Sequence, residues 1–440
     1  MKLATIPSLT ELSLPHMLFF VSVALGALYF SFRDRRFDFF SVAFLSSMVY
    51  FMPGFIGFAI SPPTQRVMLP TPLRLVPETY AVMIAVLCAV LVGAIVFDAF
   101  FADAAPRSVL PGASDAVVSV TVLAVVACAL TVLTVGAELL NPRKAEMMAA
   151  MNRWYIFWSQ ATALGAILAF VQRRRLLLTI CLLLLAGDLY IGYRKTLAMV
   201  TIAIFTVVLT RMGPQRVAIR SWKYGIPASL AAFFVFAYKK LYILIKAGDF
   251  SGVVGRVTDP IYYVFVFVDS EPFTIQANLN EVIRTNLVVG LSHFESVINQ
   301  FVVFASAMGG EVVSFNDRFQ PVLFPGVRGG MAHNIWAEMW SGGGWPLLCG
   351  FIVFYTIVLG FGSYLLRSSD VVMRGIVALL FTYWAFYIHR NDIQAQISFT
   401  KQVIGIALFS VAVSIAFTRL GALLRRRRQW QGGERAESAQ

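Results

Sequence analysis

The sequence predicts an all-α, polytopic membrane protein with about eleven transmembrane helices and one long extracytoplasmic loop. Of its 440 residues, 58% are hydrophobic and 13% are charged, and the mean hydropathy is +0.74. Soluble domains carry about 25% charged residues. Apolar runs of about 15 to 25 residues recur between short charged connectors, which is typical of helices that cross a hydrocarbon core about 30 Å thick. The strands of a transmembrane barrel would instead alternate over about ten residues.

The predicted spans follow these apolar runs in chain order. Helices are expected because every backbone polar group inside a bilayer must be satisfied within the protein. The first run is interpreted as a retained span, since a basic cluster rather than a small-residue cleavage site follows it. The spans cover residues 15–32, 37–60, 78–101, 116–140, 154–171, 176–192, 197–210, 225–245, 345–366, 375–389 and 402–419.

Arginines concentrate in alternate connectors, including residues 33–36, 173–175 and 425–428. Because cytoplasmic loops carry the excess of Lys and Arg, this pattern predicts a periplasmic N-terminus and a cytoplasmic C-terminus. The chain then divides into four parts: N-terminal transmembrane helices, a long periplasmic loop, C-terminal transmembrane helices and a basic, polar cytoplasmic tail. Their bounds are 1–245, 246–344, 345–424 and 425–440. The polar stretch after Trp430 is expected to be disordered.

The long segment 246–344 contains apolar stretches at 261–268 and 297–308 that are too short to cross a membrane. We expect short amphipathic or re-entrant helices that cap the bundle at the headgroup level. A loop of that length without structure is uncommon, so the segment is expected to carry function.

The net charge of +13 arises from basic residues that flank the apolar runs. Membrane topology explains their positions, so we expect no nucleic-acid partner. The cysteines lie within apolar runs without a CxxC spacing, which predicts buried free thiols and neither a disulfide framework nor a zinc site. They are Cys88, Cys128, Cys181 and Cys349. No spacing of carboxylates suggests a metal or another cofactor.

Cations on the outer side need an explanation, and the first candidate site is residues 187–196. Here Arg194 and Lys195 interrupt two apolar helices with only a tight turn between them. Charge at such a position is costly and marks a functional candidate. Two simpler interpretations stay open: Arg194 pairs with Asp188 in a short hairpin, or the cations snorkel to lipid phosphates.

The second candidate site is residues 328–338, which contain Arg328, His333, Asn334 and Glu338. If a helix begins after His333, then His333 and Glu338 can reach one pocket, and either side chain can act as a general base. A histidine that caps a loop and a glutamate paired with an arginine are the alternative.

Two further features could belong to the same site. His293 and Glu295 in the long loop are also candidate catalytic residues, and spacing does not decide between the histidines. Aromatic residues near the second site either stack on sugar rings or anchor helices at the interface. They are Trp336, Trp340, Trp345, Phe315 and Phe319.

The third candidate site is the polar connector 388–394, with Arg390 and Asp392 between two predicted spans. So many polar groups in a short connector favour a lined cavity over contact with lipid. A purely structural ion pair between Arg390 and Asp392 is the alternative.

These three segments, in this order, resemble motifs of the Wzy-type polymerases of oligosaccharide repeat units. The similarity is to G-x-R (Gly192, Arg194), to H-N-x-x-x-E (His333, Asn334, Glu338) and to R-x-D (Arg390, Asp392). The chain departs from the pattern in having asparagine rather than glycine between Arg390 and Asp392, and lysine after Arg194. The resemblance implies a bundle like that of the C-type glycosyltransferases, at the periplasmic face of a bacterial inner membrane.

The family transfers a growing glycan from one undecaprenyl diphosphate to an incoming lipid-linked repeat unit, producing O-antigen or exopolysaccharide. The resemblance thus implies a metal-independent glycosyltransferase. Arg194, Arg328 and Arg390 would bind the diphosphate, with Lys195, Asn334 and Asp392 also at the substrate, and His333 or Glu338 would be the base. Its partners would be undecaprenyl-diphosphate-linked oligosaccharides, membrane lipids and, as a candidate, a chain-length regulator. An O-antigen ligase, a flippase or transporter of lipid-linked sugars, and a structural or sensory membrane protein are the alternatives.

Overall fold

The computed structural model describes most of the chain. The described residues are 13–60, 72–101, 106, 115–141, 146–147, 150–212, 241–260, 262–263, 270–301, 313–327 and 331–437. Most of the predicted span 225–245 and most of the stretches 261–268 and 297–308 lie outside them, as does Arg328.

The first half of the described chain is a series of apolar helices with one small sheet. Its elements are α1 (Leu14–Phe32), α2 (Phe39–Tyr50), α3 (Met52–Ile56), β1 (Phe58–Ile60), β2 (Pro72–Arg74), α4 (Pro77–Phe101), α5 (Ala116–Val135) with a 3₁₀-helix (Gly136–Leu140), α6 (Arg153–Val171), α7 (Arg175–Ile191) and α8 (Lys195–Arg211).

The second half begins with short helices and ends with long ones. Its elements are α9 (Phe250–Thr258), α10 (Glu271–Arg284), α11 (His293–Phe301), α12 (Phe315–Leu323), α13 (Ile335–Leu365), α14 (Val371–Ala385), a 3₁₀-helix (Tyr387–Arg390) and α15 (Ile393–Glu437). Residues 241–246 are also helical.

The prediction of a helical, multi-pass membrane protein is confirmed. Within the described residues, six helices are long and apolar enough to cross a membrane. They are α1, α4, α5 with its 3₁₀ extension, α6, α13 and the part of α15 up to Leu420. Helices α2 and α14 are apolar but shorter. The total of about eleven spans stays a prediction.

The predicted span 37–60 is wrong, because α2 ends at Tyr50. Pro53 then opens the single turn of α3, and Gly57 ends it in the left-handed conformation with φ +78°. A glycine accepts this conformation without the strain a Cβ would cause. The chain leaves as β1, which pairs antiparallel with β2 in the register Phe58 to Arg74. The sheet lies at the end of the bundle where α4 begins.

Two boundaries in the second half also differ from the prediction. The span predicted at 345–366 starts earlier, because α13 begins at Ile335 and continues past a break at Gly343 and Gly344. The helix α15 runs through Glu437, so the disorder predicted after Trp430 is wrong. All four cysteines are free, but Cys88 and Cys349 are exposed on the outside of the bundle rather than buried.

Helix α6 forms the centre of the bundle and is buried along most of its length. It packs against α5, α7, α8 and α14. Tyr383 of α14 donates a hydrogen bond to the amide oxygen of Gln160 on α6, at 3.1 Å. Because both side chains are buried, this bond fixes how the two helices lie against each other.

Helix α10 brings the long segment into the core of the protein. Its polar side chains Gln276, Asn278 and Asn280 are fully buried. Gln276 donates to the carbonyl of Tyr50, and Asn280 accepts from the backbone N–H of Val76 at 2.9 Å. The segment 246–344 therefore contributes a core helix as well as short helices at the end of the bundle.

Candidate functional site

Arg194 and Arg390 approach the same carboxylate, that of Glu271. The Nη1 atom of Arg390 lies 2.8 Å from Oε2 of Glu271, and Nη2 of Arg194 lies 3.4 Å from Oε1. The two arginines come from the first and third candidate sites, and Glu271 comes from the long segment. The structure thus brings the arginines of two sequence motifs together around an acidic residue that sequence analysis did not single out.

Glu271 is placed by the start of α10. Ser270 precedes this helix as its N-cap residue and Pro272 lies in its first turn, both common at helix starts. An acidic side chain in the first turn is stabilised by the positive end of the helix dipole. Glu271 keeps 13% of its side chain exposed and Arg390 keeps 32%, so the pair borders open space rather than lying inside packed core.

The two arginines differ in how strongly Glu271 acts on them. Burial lowers the pKa of the Arg194 guanidinium, and the more distant Glu271 only partly opposes this. Burial also lowers the pKa of Arg390, but the closer Glu271 carboxylate and the Tyr387 hydroxyl outweigh it and raise the pKa above its usual value. Both guanidinium groups are charged at neutral pH, because an arginine pKa is normally far above 7.

Lys195 adds a third cation to this cluster. Its Nζ lies 3.0 Å from the centre of the Phe399 ring, and the rings of Tyr383 and Tyr387 lie 5.4 and 5.5 Å away. Cation–π attraction holds the ammonium against these ring faces. Its charged neighbours are Arg390 and Asp188.

Asp188 is hydrogen-bonded to another residue of the bundle. The hydroxyl of Tyr155 donates to its Oδ1 atom at 2.6 Å, and the side chain is buried. Arg194 contacts Glu271, and Asp188 is hydrogen-bonded to Tyr155. A hairpin closed by an ion pair between Arg194 and Asp188 is therefore not needed to explain the positions of these two side chains.

Asp392 lies next to His333 rather than pairing with Arg390. Its Oδ2 atom is 3.3 Å from Nδ1 of His333 and also accepts the backbone N–H of Phe315 at 3.1 Å. Its Oδ1 atom accepts the N–H of Ala395 and so caps the start of α15. Two backbone N–H groups hold the carboxylate beside the imidazole, while 24% of the His333 side chain stays exposed.

His333 is the histidine best suited to exchange a proton with a bound molecule. Burial lowers its pKa, the carboxylates of Asp392 and Asp317 oppose this, and the charge of Arg390 adds to the lowering. The net shift is downward, so the imidazole is neutral at pH 7 and has a lone pair available. Arg390 is near enough to His333 for its charge to act on the imidazole.

Glu338 lies on the first turn of α13 and is completely buried. Its Oε1 atom is 2.8 Å from Nε2 of His293, and Oε2 accepts the backbone N–H of Ile393 at 2.8 Å. His333 and Glu338 thus meet the connector before α15 at the neighbouring residues Asp392 and Ile393. Because Glu338 is enclosed and bonded on both oxygens, it holds α11, α13 and α15 together.

His389 is structural. The indole of Trp336 can only donate, so Nδ1 of His389 accepts from it at 3.0 Å and Nε2 carries the proton toward the hydroxyl of Ser47 at 3.2 Å. The ring stacks on Tyr50 with centroids 5.3 Å apart. Burial lowers the pKa of His389 to about 3, so the ring is neutral.

The other predicted residues of the second motif lie around this site in supporting positions. Asn334 is buried and caps α13, accepting the backbone N–H groups of Trp336 and Ala337 and donating to the carbonyl of Ile275. Among the aromatic residues considered for sugar stacking, Trp336, Phe315 and Phe319 are fully buried and pack in the core. Trp345 is 38% exposed.

The start of α13 is separated from its membrane-spanning part by the break at Gly343 and Gly344. Gly344 has φ +62°, which glycine adopts readily. The carbonyl of Ser341 accepts the backbone N–H groups of Val289 and Gly290, at 2.9 and 3.2 Å. A carbonyl near the break is thereby satisfied by the segment before α11, as buried backbone requires.

Sequence reasoning missed Glu271. Ser270 and Pro272 do mark a helix start there, and an acidic residue facing a set of outer cations is the one signal that could have found it. Within the described ranges, no three His, Cys, Asp or Glu side chains are grouped so that they could hold a metal ion.

Fold and site together define a multi-pass helical membrane protein with a polar, cation-rich site at one end of its bundle. Comparison with protein-family models, with curated proteins and with solved structures found no match for this chain.

Proposed function

We propose that the chain is a glycosyltransferase that polymerises undecaprenyl-diphosphate-linked oligosaccharide repeat units at the periplasmic face of the bacterial inner membrane. The observation that carries the proposal is the convergence of Arg194 and Arg390 on the single carboxylate of Glu271, with Lys195 beside Arg390. The resemblance of the three motifs to the Wzy-type polymerases supports the same function.

The charges of the cluster fit a diphosphate. Two arginines contact the carboxylate of Glu271, so one positive charge remains when the two guanidinium groups and this carboxylate are counted. Arginine forks bind phosphate oxygens with two parallel hydrogen bonds, and such charge-assisted bonds are about twice as strong as neutral ones. The partial exposure of Arg390 gives a ligand access to it.

In the proposed reaction, the acceptor hydroxyl oxygen attacks the anomeric carbon of the donor glycan. The bond from that carbon to the diphosphate oxygen breaks, and undecaprenyl diphosphate leaves with the bonding electrons. The arginines stabilise the negative charge that develops on the leaving group, which is the kind of interaction that lowers a transition state most. The hydroxyl proton passes to the base, so atoms and charge balance.

His333 is the proposed base, with Asp392 as its positioning residue. His333 is partly exposed, and its Nδ1 atom lies 3.3 Å from the carboxylate of Asp392. Glu338, the other candidate, is enclosed and bonded to His293 and Ile393. It is therefore assigned a supporting role, in which it fixes the connector that carries Arg390 and Asp392.

Deleting the gene in the organism that encodes it tests the function. The deletion strain should lose laddered polysaccharide and accumulate single lipid-linked repeat units, and the wild-type gene should restore the ladder while Arg390→Gln does not. Repeat units extracted from that strain then serve as substrate for the purified protein in liposomes, so the sugars need not be known beforehand. A ladder formed in these liposomes would establish polymerisation.

The alternatives give different products in the same experiments. An O-antigen ligase would leave ladders attached to the lipid carrier and only remove their transfer to lipid A core. A flippase would leave repeat units on the cytoplasmic leaflet, out of reach of an impermeant oxidant added outside. Either result, or an unchanged ladder in the deletion strain, would overturn the proposed polymerase.

A further inference from the structure

A large apolar groove lies between α4 and α13, at the end of these helices opposite the candidate site. Its cavity volume is about 580 Å³, within the range of about 300–1,000 Å³ that accommodates small ligands. Phe40, Gly93 and Phe97 form part of its lining, and Gly360 lies across from them on α13. The groove is open to the outside of the bundle, since its lining residues Ile357 and Phe361 are more than half exposed.

The location of the groove separates it from the candidate site. Thr79, at the beginning of α4, bonds to Asn280 of α10 near the site, whereas Phe97 lies near the other end of α4. At about 1.5 Å per residue these positions are roughly 27 Å apart along the helix. Such a distance is close to the thickness of the hydrocarbon core, so the groove belongs to the opposite leaflet.

An arginine lies at the end of this groove. Arg367 follows α13 and donates a hydrogen bond from Nη1 to the carbonyl of Phe101 at 2.6 Å. Its guanidinium carbon lies 4.7 Å from the centre of the Phe97 ring. Both phenylalanines line the groove, so Arg367 places a positive charge at its end.

The neighbourhood of Arg367 carries a surplus of positive charge. Arg33 is enclosed by two carboxylates, with bonds of 2.8 Å to Oδ1 of Asp38 and 2.6 Å to Oδ1 of Asp98. The negative charges of Asp38 and Asp98 therefore mainly balance the charge of Arg33. In the connector after α1 and around Arg367, four arginines stand against three aspartates: Arg33, Arg35, Arg36 and Arg367 against Asp34, Asp38 and Asp98.

We propose that the groove and Arg367 form a binding site for an anionic phospholipid, with one acyl chain in the groove and the phosphate at Arg367. The lining is almost wholly apolar, and the hydroxyl of Thr356 is already bonded to the carbonyl of Ile352. The groove thus binds a hydrocarbon chain by shape, while the surplus charge selects the headgroup. A phospholipid is favoured over the polyprenyl chain of the proposed substrate because the cationic end lies in the leaflet opposite the candidate site.

Two glycine positions on α13 allow a substitution that blocks the groove and a control substitution that does not. A Cβ at Gly360 would have ordinary contacts, the nearest at 3.7 Å from the ring of Phe40, so a leucine can be built there and would occupy the groove. A Cβ at Gly350, on the same helix, meets no atom within 4 Å. Gly360→Leu therefore blocks the groove, and Gly350→Leu is its matched control. Val96→Trp fills the groove from the other wall if Gly360→Leu fails to fold.

The experiment incubates the purified full chain with mixed vesicles of equal phosphatidylglycerol and phosphatidylcholine, extracts it in detergent and counts retained lipids by native mass spectrometry. The wild-type protein should retain phosphatidylglycerol preferentially. Gly360→Leu should lose the retained lipid, whereas Gly350→Leu should behave as wild type. Arg367→Gln should reduce the preference about fivefold, which corresponds to about 1 kcal/mol for one cation at the membrane surface. Arg367→Lys and the control Arg419→Gln should keep it.

Three results would overturn this inference. The first is equal retention of the two lipids by the wild-type protein, and the second is the same retention by the Gly360→Leu and Gly350→Leu variants. The third is displacement of phosphatidylglycerol by an equal concentration of undecaprenyl phosphate, which would identify a polyprenyl chain as the occupant. None of these results depends on polymerase activity, so the inference can fail while the proposed function stands.

Discussion

Arg390 and Glu271 form an ion pair of 2.8 Å that joins the connector before α15 to the start of α10. The second oxygen of Glu271 lies 3.4 Å from Arg194, at the turn between α7 and α8. One carboxylate therefore connects three parts of the chain that are distant in sequence.

The variants Glu271→Gln and Arg390→Gln should each destabilise the protein, because each leaves a partly buried charge without its main partner. In a double-mutant cycle their coupling should be about 0.5–3 kcal/mol, as found for residues in direct contact. Equilibrium unfolding of the detergent-solubilised protein measures it. The exposed pair of Arg174 and Asp115 is the control, with an expected coupling of about 0.2–1 kcal/mol. Equal coupling in the two pairs would contradict the central role of Glu271.

Stability should fall at acidic pH because of His389. Its pKa is about 3 in the folded protein and 6.5 for the ordinary side chain, so the unfolded chain binds a proton that the folded protein does not. This contribution is fully present above pH 6.5 and is lost as the pH falls from 6.5 toward 3. Unfolding of the wild type and of His389→Gln across this range measures the difference. Parallel pH dependences would show that His389 is not the group responsible.

Asp392→Asn should move the acidic limb of the activity profile to lower pH. The negative charge of Asp392 raises the pKa of His333, so removing it lets burial lower that pKa further. The rate at the optimum should also fall, because the imidazole loses the carboxylate that lies beside its Nδ1 atom. Asp370→Asn is the control, since Asp370 caps α14 in the way that Asp392 caps α15. A reduced rate with an unchanged profile would mean that His333 is not the titrating base.

Replacing a cation of the site should reduce turnover far more than replacing an exposed one. Arg390→Gln should lower turnover about 100-fold, the loss seen when one group that stabilises transition-state charge is removed. Lys195→Met keeps an apolar chain against Phe399 and should also lower turnover. Arg174→Gln should stay within about twofold of wild type, since Arg174 pairs with Asp115 at the surface. Turnover is measured in liposomes that contain lipid-linked repeat units. Equal activity of all three variants would contradict the proposed diphosphate site.

Gly342→Ala should lower stability, whereas Gly350→Ala should not. A Cβ at Gly342 would collide with the ring of Phe294, next to the break in α13, and overpacking of this kind costs about 1–3 kcal/mol. Gly350 has open space around it. Thermal unfolding in detergent compares the two variants, and a normal midpoint for Gly342→Ala would show that Phe294 moves aside freely.

Hydropathy predicted most of the long helices because the bilayer imposes their length and apolar character. It failed at residues 37–60, where Pro53 and Gly57 turn an apolar run into a helix end and a strand. It also failed to place α10 in the core, because Gln276 and Asn278 are buried polar residues whose partners come from other segments. These hydrogen bonds form only when distant segments come together in the fold, so they leave no periodic signal in the sequence.

The candidate site was predicted in part. The motif arginines Arg194 and Arg390 do lie together, as expected if outer cations serve one ligand. The spacing of His333 and Glu338 could not say which of them is accessible, since this depends on His293 and Ile393 approaching Glu338 from other helices. Glu271 has no motif, and only the fold brings it to the arginines.

The glycine pair at 343–344 has a mechanical consequence. A bilayer that thickens or thins makes a spanning helix tilt, and in an unbroken α13 that tilt would be transmitted to Glu338. Here the span can lean by changing the backbone angles of two residues without side chains. The first turns of α13 stay fastened to Val289 and Gly290 through the carbonyl of Ser341. We therefore expect the site geometry to be insulated from the thickness of the surrounding membrane.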